Sequence, residues 1–285
     1  MAHRITLIPG DGVGPEVTEA ARLGVEATGV PVEWDVRWLG AAAFERIGRA
    51  LPDETLDAIR EHGVALKGPI ETPADAEVRN ANVALRQALD LFANLRPCRH
   101  YAGVPSPYDE VDLLVVRENT EDTYTGIEFE VDTPEVAELI AFVERSAGIR
   151  IRGDSGISVK AISAAGSDRI VRFAFEEARR TGRHAVTAAH KANIMKFSDG
   201  LFLDVARRVS AQYPDVAFDD RIIDALCMQL VAEPERFDVL VLPNLYGDIV
   251  SDLGAGMIGG LGLAPGGNIG TEAAMFEATH GSAPK

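Results

Sequence analysis

Short apolar runs alternate with amphipathic stretches along most of the 285 residues. Glycine, proline or charged residues bound these runs, which is typical of strands buried in a sheet. The strand-like runs are residues 4–8, 32–36, 63–66, 93–98, 111–117, 126–131, 156–163, 184–189, 218–223, 238–242 and 273–277. Because helix-like stretches separate most of them, the pattern predicts an α/β fold.

Composition argues against several classes of function. The formal net charge is −16, which disfavours nucleic acid and anionic membranes as partners. No apolar run reaches the length that spans a bilayer, and the N-terminus enters a strand without the apolar region of a signal peptide. Cys98 and Cys227 lack zinc-site spacing and are typical of a reducing compartment. We therefore expect a cytoplasmic protein.

The first glycine-rich turn only partly matches a dinucleotide-binding fingerprint. Residues 9–16 read PGDGVGPE, so the glycines follow G-x-G-x-G and not G-x-G-x-x-G. Pro15 also removes a helix N–H at the point where a pyrophosphate would bind. We interpret this segment as a tight turn between a strand and a helix that begins near Pro15.

Three arginines occur beside loops at the ends of predicted elements. Arg86 lies in a helix-like stretch, Arg96 on the strand of residues 93–98, and Arg117 at the end of the next apolar run. A single arginine is most often a surface ion-pair partner. Three in such positions suggest bidentate recognition of several carboxylates, which predicts an anionic substrate.

Asp248 and Asp252 follow the strand of residues 238–242 and are four residues apart, so they share one face of a predicted helix. Such a pair is most often a solvated acidic surface, although a divalent cation with oxygen ligands would also relieve the repulsion. Asp224 follows another strand. Lys191 and Asn193 follow a buried strand, and in an extended chain they would point the same way, at the sheet edge where ligands collect.

Seven motifs together resemble the β-decarboxylating dehydrogenases, the family of isocitrate, 3-isopropylmalate, homoisocitrate and tartrate dehydrogenases. The motifs keep the order of the family and cover the whole chain. They are IPGDGVGPE (8–16), NVALRQALDLFANLRPC (82–98), RENTEDTYTGIE (117–128), HKANIMKFSDGLF (190–202), NLYGDIVSD (244–252), GGLGLAPGGNIG (259–270) and HGSAPK (280–285).

The resemblance implies an isopropylmalate dehydrogenase-like two-domain fold, which is not a Rossmann fold. A large cofactor-binding domain would comprise residues 1–96 and 255–285, from both chain ends. A small domain of residues 97–254 would carry the dimer interface of a homodimer and the metal and substrate residues. Family members continue beyond the position of residue 285, so we expect the last part of the large domain to be missing.

The resemblance also implies roles for individual residues. Lys191 would accept the proton of the substrate C2 hydroxyl, and Tyr124 would protonate C3. Asp224, Asp248 and Asp252 would bind Mg²⁺ or Mn²⁺. The implied substrate residues are Thr72, Asn80, Asn82, Arg86, Arg96 and Arg117. The implied cofactor residues are Asn193, Asn268, His280, Gly281, Ser282, Ala283, Pro284 and Lys285.

The implied reaction is that of the tricarboxylic acid cycle, the oxidative decarboxylation of isocitrate to 2-oxoglutarate and CO₂ with reduction of NAD. Tyr124 and His190 favour isocitrate or homoisocitrate over 3-isopropylmalate as the substrate. Asn80 stands where isocitrate enzymes commonly have serine, and it is bulkier. A non-catalytic regulatory subunit is an alternative of another class, which the presence of Tyr124, Lys191 and all three aspartates disfavours.

The cofactor motifs point in two directions. Lys285 resembles NADP-preferring bacterial enzymes, because NAD-preferring members commonly have an aspartate there that accepts hydrogen bonds from the ribose. In contrast, ANLRPC (93–98), PNLYGDI (243–249) and GGLGLAPGGNIG (259–270) resemble the NAD-dependent branch. We expect NAD, with NADP as the alternative.

Overall fold

The structure is a computed structural model that describes residues 2–71 and 81–283. Its strands are β1 (His3–Ile8), β2 (Val32–Val36), β3 (Val64–Lys67), β4 (Ala93–Arg99), β5 (Asp112–Glu118), β6 (Glu128–Phe129), β7 (Ile157–Ser158), β8 (Ala185–His190), β9 (Ala217–Ile222), β10 (Val239–Leu242), β11 (Pro265–Ile269) and β12 (Ala274–Ala278). Its α-helices are α1 (Gly14–Ala27), α2 (Ala41–Ile47), α3 (Asp53–His62), α4 (Ala81–Ala88), α5 (Pro134–Ala147), α6 (Ala164–Thr181), α7 (Asp199–Ser210), α8 (Ile223–Ala232) and α9 (Asn244–Met257). A short 3₁₀ turn, Asp122–Thr125, follows β5.

One mixed sheet crosses the described part of the chain in the order β2-β1-β3-β12-β11-β4-β5-β10-β8-β9, and β6 pairs only with β7. Strand β11 is antiparallel to both of its neighbours, β12 and β4, and β4 is antiparallel to β5, whereas the other neighbours in the large sheet are parallel. Helices cover the sheet with apolar side chains, which form three buried clusters. The predicted α/β class is confirmed.

The register of the central strands places polar residues on one face across the sheet, with a step of two residues between β12 and β11, where Glu277 is paired with Gly266. Lys67 on β3 is paired with Glu277 on β12, Asn268 on β11 with Asn94 on β4, and Asn94 with Arg117 on β5. We call these five residues the polar row. Because charged and amide side chains are rarely buried without partners, such a row across the middle of a sheet marks a site that is built for polar contacts.

The glycine turn after β1 is a packing feature, as the sequence predicted. Gly10 has a φ of 83°, and a Cβ there would overlap the carbonyl oxygen of Pro69. The Asp11 carboxylate accepts hydrogen bonds from the amides of Ala41, Ala42 and Glu71, and so fixes the start of α2. The glycines allow close approach between chain segments, and α1 begins at Gly14 with proline in its first turn.

Several local expectations differ from the structure. The runs at 126–131 and 156–163 contain only the two-residue strands β6 and β7, because they pair with each other and with no third strand. Strand β11 lies outside all the strand-like runs of the sequence, and its Gly266 and Gly267 run beside β12. The expected boundary between residues 96 and 97 falls within β4. The division into two domains stays a prediction.

None of the helices in the described part of the chain combines the length and the apolar composition that a membrane crossing requires.

Candidate active site

Helix α9 packs so closely on the sheet that its acidic face meets β5. A Cβ added to Gly247 would lie 2.5 Å from Cγ of Arg117, and a Cβ added to Gly254 would lie 2.6 Å from Sγ of Cys98. Glycine at these two positions therefore lets the helix backbone approach β4 and β5. The close approach brings Asp248, which lies one residue after Gly247, beside Arg117.

Arg96 and Arg117 both contact this acidic face. Arg117 donates from Nη1 to Asp248 and from Nε to Asn244 at 2.9 Å. Arg96 Nη1 donates to Ser251 Oγ at 2.5 Å and lies 3.3 Å from a carboxylate oxygen of each aspartate, Asp248 and Asp252. One guanidinium thus sits between the two carboxylates that the sequence places on one helical face.

The third arginine, Arg86 on α4, joins the polar row from the other side. Its Nη2 donates to Glu277 Oε1 at 3.0 Å, and Lys67 Nζ lies 2.6 Å from the other oxygen of Glu277. Asn268 Nδ2 also donates to Glu277, at 2.6 Å, and Asn268 Oδ1 accepts from Asn94 at 2.7 Å. Glu277 therefore serves as the counter-ion of two cations at one edge of the site.

A cavity of about 120 Å³ opens between these groups. Its lining includes three of the predicted substrate residues, Asn82, Arg86 and Arg96, together with His280 and Gly281 from the predicted cofactor loop. Two arginine nitrogens, Arg86 Nε and Arg117 Nη2, are buried and have no hydrogen-bond partner within residues 2–71 and 81–283. Buried cationic donors without partners are costly, so they favour an anionic ligand.

The electrostatics of the site separate the two carboxylates of α9. Burial raises the pKa of Asp248, but the charge of Arg117 and the hydrogen bond from Tyr124 outweigh it, so the pKa lies below its usual value. Burial, helped by the charge of Asp248, keeps the pKa of Asp252 above its usual value despite Arg96. Asp252 is thus the less well compensated carboxylate, and a cation beside it would stabilise both.

Tyr124 lies against the same carboxylate. Its hydroxyl donates to Asp248 Oδ2, and the guanidinium of Arg117 lies 4.8 Å from the centre of its ring. Burial and the hydrogen bond to Asp248 raise the pKa of Tyr124, which therefore stays protonated near neutral pH. Burial lowers the pKa of Arg117 to about 10, which still leaves it charged there.

The three aspartates predicted to bind a metal do not lie close together in space within one copy of the chain. Asp248 and Asp252 lie on α9, whereas Asp224 lies in the first turn of α8, is exposed, and accepts a hydrogen bond from Lys191 Nζ. Among the residues that the structure describes, no three His, Cys, Asp or Glu side chains are placed to hold a metal ion. The carboxylates of Asp248 and Asp252 therefore fit a hard divalent cation, whereas Asp224 lies away from them in the described chain.

The segment after β8 is a turn, which corrects the expectation of an extended chain there. The amides of Ile194 and Met195 both donate to the carbonyl of Lys191. Lys191 and Asn193 therefore do not point the same way through strand alternation, and Asn193 is exposed. The segment satisfies part of its own backbone hydrogen bonding in a turn, since the pairing of β8 with β9 ends at His190.

The predicted cofactor residues fall into three groups. Asn268 is fully buried, and its side chain bonds to Asn94, Asn119 and Glu277, so in this structure it supports the cavity from beneath. Ser282 is also buried and donates to Glu71, while Ala283 follows it in a left-handed conformation. Pro284 and Lys285 lie outside the described residues, as do the predicted substrate residues Thr72 and Asn80.

Sequence reasoning missed several members of the site. Lys67, Asn94 and Glu277 line the cavity, and Ser251 accepts a hydrogen bond from Arg96. Lys67 directly follows an apolar run, which is a signal that could have been used. Glu277 lies in a short strand whose burial depends on β3 and β11, so its own neighbours in sequence do not reveal its role.

Comparisons with known proteins agree with this geometry. A family model described as isocitrate/isopropylmalate dehydrogenase matches residues 4–285. A probable isocitrate dehydrogenase (NAD) subunit alpha of Caenorhabditis elegans is 44% identical over 99% of this chain and 73% of its own length. The isocitrate dehydrogenase (NADP) of Thermus thermophilus is 47% identical over 99% of this chain, which spans 53% of that protein.

The chain is also similar to an isopropylmalate dehydrogenase and to a solved isocitrate dehydrogenase structure. The 3-isopropylmalate dehydrogenase of Archaeoglobus fulgidus is 46% identical over 98% of this chain and 78% of its own length. A crystal structure of isocitrate dehydrogenase from Methylococcus capsulatus superposes with a TM-score of 0.89 at 51% identity, over 99% of this chain and 78% of that one. The predicted family and its isopropylmalate dehydrogenase-like fold are confirmed, and the chain belongs to the isocitrate/isopropylmalate dehydrogenase family.

Proposed function

We propose that the chain forms the catalytic core of an isocitrate dehydrogenase, which oxidatively decarboxylates isocitrate to 2-oxoglutarate and CO₂ with reduction of NAD. The observation that carries the proposal is the cluster of Arg86, Arg96 and Arg117. Two of its buried nitrogens lack partners in the described chain, Arg86 and Arg96 line the cavity, and Arg96 and Arg117 contact the acidic face of α9. A substrate with several carboxylates would satisfy these donors.

The arginines would bind and orient the substrate. Each guanidinium is already fixed by a protein contact: Arg86 by Glu277, Arg96 by Asn94 and Ser251, and Arg117 by Asn244. Side chains that are held in place lose little further freedom when the ligand binds, and so they orient it with high efficiency. The three carboxylates of isocitrate suit three arginines.

Tyr124 and Lys191 would transfer the protons. Tyr124 is kept protonated and donates to Asp248, so it is placed to give a proton to the C3 carbon after decarboxylation. Lys191 Nζ is hydrogen-bonded to Asp224 and lies at the C-terminal end of β8. We assign it the removal of the C2 hydroxyl proton.

Asp248 and Asp252 of one chain, with Asp224 of a second copy, would hold Mg²⁺ or Mn²⁺, which when bound acts as a Lewis acid toward the C2 oxygen. This arrangement makes the protein a homodimer with shared sites, because Asp224 and Lys191 lie together and apart from α9's acidic face. The exposed apolar side chains of Phe197, Met228 and Ile249 suit contact with a second copy.

The proposed cofactor is NAD, with NADP as the alternative. The relatives themselves carry both names, NAD in the nematode protein and NADP in the Thermus protein. The segment from His280 to Ala283 borders the cavity and contacts the first glycine turn, since the amide of Val13 donates to Ser282. We propose that this segment contacts the nucleotide.

A panel of substrates tests the proposal. Isocitrate, homoisocitrate and 3-isopropylmalate are each supplied with NAD or NADP and with Mn²⁺, and the absorbance of the reduced cofactor is followed. We expect the highest kcat/KM with isocitrate and NAD. A higher kcat/KM with homoisocitrate or 3-isopropylmalate would show that isocitrate is not the substrate. A preference for NADP of more than about tenfold, which corresponds to about 1.4 kcal/mol, would show that NAD is not the cofactor.

The 3-isopropylmalate alternative is favoured by the Archaeoglobus relative, whose identity of 46% lies between the 44% of the nematode and the 47% of the Thermus isocitrate enzyme. Isopropylmalate carries an apolar branch in place of one carboxylate, so it would leave one of the arginines without an anionic partner. A non-catalytic regulatory subunit is the alternative of another class. A regulatory subunit would bind the substrate carboxylates but would show no turnover with any substrate of the panel.

A further inference from the structure

We propose that Lys160 is a positioning residue for Tyr124 and Lys191, because its ammonium joins the two buried carboxylates that hold the turns on which they lie. The inference rests on the proposed function, which assigns proton transfer to these two side chains. Lys160 lies in the segment between β7 and α6, away from the arginine cluster. It therefore acts through other residues and does not reach the substrate cavity.

The first carboxylate belongs to Asp122 and holds the turn of Tyr124. Asp122 is fully buried and has a φ of 69°, a conformation that needs support from its surroundings. Its Oδ1 accepts from the amide of Thr123 at 2.8 Å and its Oδ2 from the amide of Leu245 at 3.0 Å. The side chain thus ties the Tyr124 turn to the first turn of α9, just before Asp248.

The second carboxylate belongs to Asp199 and holds the turn of Lys191. Asp199, the first residue of α7, is also fully buried, and its Oδ2 accepts from the amide of Lys191 at 2.7 Å. Lys191 begins the hydrogen-bonded turn that follows β8. The orientation of this turn therefore depends on where the Asp199 carboxylate is held.

Lys160 is the cation between these groups. Its Nζ lies 2.8 Å from Asp199 Oδ1, 3.9 Å from Asp122 Oδ1, and 4.2 Å from the ring centre of Tyr246 on α9. Burial and the carboxylates of Asp199 and Asp122 also raise the pKa of Tyr246, so its hydroxyl stays a donor. One ammonium thus compensates two buried carboxylates that come from separate parts of the sequence.

The charge balance explains why the ammonium matters. Two buried carboxylates without a cation must move apart, admit water or become protonated, because an uncompensated charge in the interior is costly. Each of these changes would move the carboxylate oxygens that accept hydrogen bonds from the amides of Thr123, Leu245 and Lys191. The arginine cluster has its own partners and would keep its geometry.

Kinetics of Lys160→Met against the exposed control Lys196→Met test the proposal. We expect kcat of Lys160→Met to fall at least about thirtyfold with KM within about threefold, since misplacing a catalytic group costs up to about a hundredfold. Lys160→Arg keeps the charge and should stay within about fivefold of wild type. A kcat of Lys160→Met within about threefold of wild type overturns the proposal.

Hydrogen exchange supplies a readout that does not depend on turnover. In Lys160→Met, the peptides that contain Lys191, Thr123 or Leu245 should all exchange faster than in wild type. Peptides from α5 should exchange as in wild type. Wild-type protection of both turns overturns the proposal even when kcat is low. A wild-type protein without activity on any substrate contradicts only the proposed function, because the exchange experiment still tests the link.

A charge-balanced variant covers the case in which Lys160→Met does not fold. The double variant Lys160→Met with Asp199→Asn removes one charge of each sign and keeps an acceptor for the amide of Lys191. We expect it to fold and to keep the low kcat, because the connection between the two turns is still lost. Wild-type kcat in this variant overturns the proposal.

Discussion

At the scale of the residue, Arg117 combines almost complete burial with an unused donor. Arg117 is 1% exposed, yet its Nη2 has no hydrogen-bond partner in the described chain. The neighbouring Asp248 binds Arg117, contacts Arg96 and accepts from Tyr124 at the same time. Charges at such a density are seldom retained for stability alone, because hydrophobic replacements are often equally stable.

Asp248→Asn should abolish metal-dependent turnover. The amide has no charge to compensate Arg117 and no carboxylate to share with a cation, so we expect kcat to fall at least about a hundredfold, as for the loss of an electrostatic group. Asp204→Asn, at an exposed position of α7, serves as the control. The measurement is kcat at saturating Mn²⁺. If Asp248→Asn turns over like the control, our assignment of Asp248 is wrong.

The dependence of stability on pH should report Glu277. Burial raises its pKa, but Lys67 and Arg86 outweigh the burial and hold it well below the usual value. A carboxyl whose pKa is depressed in the folded state contributes stability above its unfolded value of about 4.3, and this contribution is lost as the pH falls further. Urea unfolding at pH 7 and at about pH 3 measures the effect.

Glu277→Gln should be less stable at pH 7 by about 3–5 kcal/mol, because it leaves Lys67 and Arg86 without their counter-ion. Its free energy of unfolding should also change less than that of wild type between pH 7 and about pH 3. Equal pH dependence of the two proteins would show that Glu277 is not a depressed carboxyl in the folded state.

At the scale of the element, α9 sets the geometry of the site through its glycines. Gly247→Ala would place a Cβ 2.6 Å from Cβ of Arg117, so we expect a destabilisation of about 1–3 kcal/mol and a lower kcat/KM. Gly256 lies in the same helix with no atom within 4 Å of its Cβ position. Gly256→Ala should instead stabilise the protein by about 0.5–1 kcal/mol.

Urea unfolding and kcat/KM of both variants compare the two glycines. Because helix propensity favours alanine equally at both positions, their difference isolates the contact with Arg117. A Gly247→Ala variant that is as stable and as active as Gly256→Ala would mean that α9 has room to move away from β5.

The elements that the sequence predicted best are those whose pattern is local. The apolar runs before Arg117, His190 and Asn244 became β5, β8 and β10, since each is buried on both faces and reads as a continuous run. Strand β11 was missed because its glycines and proline look like a loop, and only pairing with β4 and β12 makes it a strand.

The site was predictable to the same extent. The sequence predicted Arg117 at the end of a strand, Arg96 within one, and Asp248 and Asp252 on one helical face, and the structure brings these four together. Lys67 and Glu277 meet only because β3 and β12, which are far apart in sequence, are neighbours in the sheet. Sheet order is set by tertiary packing and not by local propensity, so this part of the site required the structure.

At the scale of the whole molecule, the separation of Lys191 and Asp224 from the acidic face of α9 calls for a second copy. We predict that mixing Lys191→Ala with Tyr124→Phe restores activity in about a quarter of the sites, because half of the dimers are mixed and each has one intact site. Activity after verified subunit exchange is the measurement. If exchange occurs and no activity returns, the sites are not shared.

In our proposal, the arginine cluster binds the carboxylates of the substrate. The most direct test of this proposal is the equilibrium Kd of isocitrate, measured by calorimetry in the presence of Mn²⁺, for wild type and Arg117→Lys. The control is Arg99→Lys, whose side chain is 70% exposed in the described structure.

Lysine keeps the charge of Arg117 but loses the unpartnered Nη2 donor. We predict that Arg117→Lys weakens binding at least about tenfold, since a charged hydrogen bond contributes about 1.5–3 kcal/mol. The control should keep the wild-type Kd. Equal affinities of wild type and Arg117→Lys, or no binding by wild type, would contradict the proposal.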